Sequence, residues 1–81
     1  MIENTHKIVV ASPSTSRMAI NLAIEGRWQE AVAANLAIIE SSPYDVDAYN
    51  RLGRAYMELG EYAAARDAYS HAYELDPYNS I

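Results

Sequence analysis

The chain repeats itself at a constant offset of 34 residues, and that offset restricts its fold more than any other feature. Pro43-Tyr44 returns as Pro77-Tyr78. Gly26 returns as Gly60, Ala31 as Ala65, Ala34 as Ala68, Arg17 as Arg51 and Glu40 as Glu74. Three further pairs change in kind only: Trp28 with Tyr62, Met18 with Leu52, and Ala19 with Gly53. A period of this length marks a supersecondary unit that cannot bury its apolar face alone, so neighbouring units must stack. The units run from 12 to 45 and from 46 to 79 and form a single domain. Residues 1–11 stand outside as an N-terminal tail, and Ser80-Ile81 are a remnant.

Inside the second unit the apolar spacing is helical. Tyr49, Leu52, Tyr56 and Leu59 recur at i, i+3, i+7 and i+10, one stripe of an α-helix. Asp45 or Asp47 can cap its start, and Gly60 suits the left-handed residue just past its end. A second helix is predicted from about Tyr62 to Leu75, with Tyr62, Ala65, Tyr69, Ala72 and Tyr73 along its stripe and Pro77 stopping it. The first unit repeats the plan less clearly. Ser12 and Ser14 are candidate caps, and Pro13 suits a first turn. Met18 and Leu22 mark a helix that closes at Ile24-Glu25 before Gly26. Trp28, Ala31, Asn35, Leu36, Ile38 and Ile39 mark the next, ending near Ser41-Ser42-Pro43. Four helices joined by short turns make an all-α chain. Gly53 is the oddity, because glycine inside a helix costs about 1 kcal/mol relative to alanine. Close approach to a facing helix carrying Ala65 and Ala72, with Tyr49 and Tyr56 closing over the contact, would offset that cost.

Composition narrows the function classes. The chain is 51% apolar with a net charge of -5 and no cysteine. An acidic surface disfavours nucleic acid and anionic lipid, and disulfides and thiolate metal sites are excluded. The longest apolar run near the N-terminus, Ile8 to Ala11, is too short for a secretion signal or a membrane span. A soluble, cytoplasmic protein is the expectation. For residues 1–11, a frayed tail and a segment docked on a groove are both open readings.

Tyr49-x2-Leu52-Gly53-x2-Tyr56, followed by Ala65-x3-Tyr69, Ala72 and Pro77, resembles the tetratricopeptide repeat. In the first unit Thr15, Met18, Ala19, Leu22 and Asn35 depart from that pattern, while Ala31 and Pro43 keep it. The resemblance implies an α-solenoid of two stacked antiparallel helix hairpins with a right-handed superhelical sense. It implies a protein–protein interaction module, in which the first helix of each pair lines a concave groove for a peptide. The groove positions it carries over are Asp47, Asn50, Arg54, Met57 and Glu58, with Ser16, Ile20, Ala23 and Ile24 from the first unit. Asn50 can bridge a ligand's backbone amide and Arg54 can take a carboxylate; alternatively Arg54 pairs with Asp47 or Glu58 on a solvated face. A subclass grips a C-terminal carboxylate with lysines and asparagines spread over three repeats. Ser16 and Ile20 occupy two of those positions here, and that activity is not expected.

Two expectations concern the last helix. Tyr69 and Tyr73 should face outward as an oligomer interface, while Tyr62, Ala65 and Ala72 turn to the core. The competing function is therefore a self-assembly module that makes a homodimer or larger assembly, or one that a partner caps. A segment of a longer repeat array is a third reading. Chemistry is sparse. Asp67, His71 and Glu74 share a helical face, which reads as a solvated charged face ahead of a weak cation site. The serine and threonine cluster at 12–16 has no histidine base tied to it, and no phosphate-cradling glycine loop occurs. The expectation is a non-catalytic protein with no cofactor and no metal, acting on a protein or peptide partner, with neither nucleic acid nor membrane involved.

Overall fold

The computed structural model describes residues 16–78, so the tail, Ser12, Ser14 and Asn79 lie outside the described residues. Four helices follow one another: α1 (residues 16–24), α2 (Trp28–Ser41), α3 (Val46–Glu58) and α4 (Tyr62–Leu75). No strand occurs among the described residues. The helices α1 and α2 form one hairpin, α3 and α4 the other, and α3 packs on both α2 and α4.

The two hairpin turns share one chemistry. Gly26 and Gly60 have φ of 74° and 79°, backbone that L side chains rarely adopt. In the first turn the Gly26 amide donates to the Ala23 carbonyl and the Arg27 amide to that of Leu22. In the second the Gly60 amide donates to Met57 and the Glu61 amide to Tyr56. This pair of hydrogen bonds satisfies carbonyls that a helix end otherwise leaves bare. Beyond the first turn, Arg27 grips Glu30 through two bonds of 2.6 and 2.9 Å and Glu25 through a third of 3.0 Å. Hydrogen bonding to Arg27 holds the Glu30 carboxyl below its ordinary range. The pair is solvent-exposed, so it adds little. Whatever it adds is present above the ordinary carboxylate pKa and goes as acid protonates Glu30. At the joint between hairpins, Asp45 caps α3 by accepting from the Ala48 amide at 3.0 Å; Asp47 stays exposed in the first turn.

Alanine builds the core. Ala19, Ala31, Ala48, Ala55, Ala65, Ala68 and Ala72 are buried, and among the described residues only Ile38 and Leu52 join them as larger aliphatics. Small residues let helix axes approach closely. Ala19 of α1, Ile38 of α2 and Ala48 of α3 form one cluster that joins the two hairpins. Several sequence expectations change here. Met18, placed on the α1 stripe, is 51% exposed and Leu36 of α2 is 46% exposed. Tyr62, expected to turn inward, is 65% exposed, because alanines already fill the α3–α4 seam and leave no room for its ring.

The largest correction concerns Gly53. What approaches it is the ring of Tyr69 rather than the flat side of a facing helix. A Cβ on residue 53 would lie 2.8 Å from both Cε1 and Cζ of Tyr69 and 2.9 Å from Cδ1, closer than any carbon contact tolerates. Tyr69 is accordingly half-buried against α3, not turned outward as an oligomer contact. The first unit solves the same place differently. Ala19 and Asn35 stand at the offset positions of Gly53 and Tyr69, where a smaller side chain leaves space for the alanine methyl.

Two expected outcomes follow from these contacts. Asp45→Ala removes the cap of α3 and should cost about 1 kcal/mol in urea denaturation, with helicity retained. Gly53→Ala should destabilise by about 1 kcal/mol, because overpacking against Tyr69 outweighs the gain in helix propensity. Placed on a Tyr69→Ala background, the same change should stabilise by about as much. A cost that persists without the ring would show that something other than Tyr69 demands glycine.

Candidate concave binding site

Residues of three helices meet in one concavity. Ile20, Ala23 and Ile24 of α1, Asn50, Arg51 and Arg54 of α3 and Tyr69 of α4 line a volume of about 390 Å³. The helical repeat explains the set. Ile20 and Ile24 lie four residues apart on α1, as do Asn50 and Arg54 on α3. Each pair spans about 6 Å of its helix, so the two helices present matched one-turn faces. One wall is aliphatic and the other carries an amide and two guanidinium groups. Tyr69 reaches this face because Gly53 has no side chain to cover its ring.

The structure thus brings together five of the groove residues expected from sequence, Ile20, Ala23, Ile24, Asn50 and Arg54. Asp47 and Met57 share the α3 stripe but do not line the concavity. They sit about 15 Å apart at its two ends, beyond the single turn that α1 matches. Met57 is 44% exposed and Asp47 is also exposed. Ser16 lies one turn before Ile20 and is not part of the lining either.

Arg54 is doubly engaged. Its Nε donates to Glu58 Oε2 at 3.0 Å, and its guanidinium carbon stands 5.5 Å from the centre of the Trp28 ring. The indole face attracts the cation, so α2 as well as α3 positions this side chain. Glu58 therefore acts as an internal partner for Arg54 rather than as a free groove residue.

Sequence reasoning missed three members of the site, Tyr69 described above and two more. Arg51 lines the concavity, and Asn35, 1% exposed, lies behind it. The Asn35 Nδ2 donates to the Ala31 carbonyl at 2.9 Å, and its Oδ1 accepts from Arg51 Nε at 2.9 Å. No buried side-chain polar atom among the described residues is left without a partner. A signal existed. Asn35 is a polar residue where the offset places Tyr69, and a buried amide requires partners. That its partner is Arg51, sixteen residues later, cannot be read from periodicity.

Outside the concavity, His71 stacks on Tyr49 with ring centres 5.2 Å apart and planes 9° from parallel. Its Nδ1 donates to the Asp67 carbonyl at 3.0 Å. The Asp67 carboxylate lies instead 3.9 Å from Arg66 Nε. Tyr73 of α4 is 62% exposed. Among the described residues no helix is long and apolar enough to cross a membrane.

Comparison with known proteins agrees with this architecture. Over 42 residues, 52% of this chain, the sequence is 45% identical to the cytochrome c-type biogenesis protein CcmH of Escherichia coli (strain K12). The same figures hold for the CcmH of Shigella flexneri. That stretch is 12% of each relative's length, so the chain spans only a small part of the curated relatives it matches. Residues 46–79, the whole second unit, match the tetratricopeptide-repeat family.

Proposed function

We propose that the chain is a non-catalytic interaction module that holds a peptide segment of a partner protein in the concavity between α1 and α3. Tetratricopeptide repeats serve protein–protein interaction. The observation that carries the finer reading is the shared concavity, with Ile20 and Ile24 opposite Asn50 and Arg54. An aliphatic wall facing a polar one suits a peptide, whose backbone seeks Asn50 while a side chain seeks the isoleucines. A cytoplasmic setting belongs to the same proposal. The relatives' name, cytochrome c-type biogenesis protein, indicates the first protein set in which to look for the occupant. Affinity capture followed by mass spectrometry tests the reading. Asn50→Ala with Arg54→Ala should abolish capture of the partner while the helical circular dichroism is kept. Undiminished capture by the double variant retires the site.

A second reading rests on α4. Tyr62 and Tyr73 are eleven residues apart, hence on nearly one line of the helix, and are 65% and 62% exposed. Two rings on one outer stripe suit an association surface between copies. Light scattering across a concentration series should then show a mass that rises with concentration, and Tyr73→Glu should hold it at that of a monomer. A wild-type mass that never rises removes this reading.

A further inference from the structure

The two arginines of the concavity are not equivalent. Arg54 is occupied by Glu58 and Trp28. Arg51 spends one N–H, on Nε, in the bond to buried Asn35. Among the described residues no carboxylate lies within ion-pair distance of it, and its two terminal nitrogens make no hydrogen bond there. Asn35 cannot turn away. Arginine offers only donors, so the amide oxygen must face it, and the amide nitrogen is held by the Ala31 carbonyl. The result is a guanidinium held at its root by a buried amide. Much of the rotamer freedom that binding would otherwise cost is already lost.

The surroundings choose the ligand. The chain has a net charge of -5, yet the lining holds two arginines and no aspartate or glutamate. With Arg54 paired to Glu58, this leaves Arg51 as a cationic point on an acidic molecule, walled on the other side by Ile20, Ala23 and Ile24. We infer that Arg51, positioned by Asn35, selects a carboxylate, and that the occupant is a peptide segment carrying an aspartate or glutamate side chain close to an aliphatic one. This deepens the peptide-binding reading and rests on it. Two terminal amino groups of a guanidinium can meet both oxygens of one carboxylate. An amide in that place forfeits the charge, and a lysine is repelled.

A random peptide array with acetylated N-termini and amidated C-termini tests this on the full chain, since blocked ends leave side chains as the only carboxylates. The wild-type protein should retain peptides enriched in aspartate or glutamate beside isoleucine, leucine or valine. Changing that acid to its amide in a retained peptide should weaken binding about tenfold, a ligand-side test that needs no protein variant. Arg51→Gln should lose the acid-over-amide preference. Asn35→Ala should shrink it, whereas a merely structural Asn35 would lower the melting temperature and leave the ratio alone. Retained peptides without acidic enrichment, or an acid preference that survives Arg51→Gln, overturn the inference but leave the peptide-binding reading standing. No retained peptide at all overturns both.

Discussion

The contact of the Tyr69 ring with the bare backbone of Gly53 organises the second hairpin. It explains why a helix accepts a residue that disfavours helix by about 1 kcal/mol, and it sets how α4 lies on α3. It also reaches into the site. Tyr69 belongs to the second helix of its pair, yet lines a concavity otherwise made by the first helices of both pairs. The path between core and groove is the missing side chain at residue 53. Packing and recognition are thus one arrangement in this unit.

The first unit reaches the same end by other chemistry. With Ala19 in place of glycine and Asn35 in place of the tyrosine, the aromatic plug is replaced by an amide that turns to the next unit and holds Arg51. A buried asparagine is costly unless both its donor and its acceptor are used, and here both are. The alanine core makes room for this by keeping the helices close. The junction between hairpins combines a small apolar cluster, Ala19 with Ile38 and Ala48, and one polar tie, Asn35 to Arg51. The polar tie is directional, so it can orient a groove residue, while the apolar cluster holds the hairpins together without preferring one rotamer.

Much of this was legible beforehand because periodicity and turn chemistry are local. The glycines at 26 and 60, a capping aspartate at 45 or 47 and the helix limits at Tyr62 and Leu75 all follow from spacing and backbone preference within a few residues. The groove stripe on α3 was legible for the same reason, since Asn50 and Arg54 must share a face. Its ends were not. Whether Asp47 or Met57 takes part depends on how far α1 extends alongside, which no residue of α3 records. Tyr62 was misplaced because an aromatic on an apolar stripe looks like core until the alanines around it are seen to fill the seam.

The sequence by itself determined the four helices, their pairing into hairpins and the requirement for a small residue at 53, because each rests on neighbours along the chain or on an exact period. Tertiary structure alone decided what fills the space at Gly53, that Arg54 stands over the Trp28 ring, and that Asn35 and Arg51 meet. These depend on the relative placement of helices, and a side chain's nearest neighbour across an interface lies at no constant distance along the sequence.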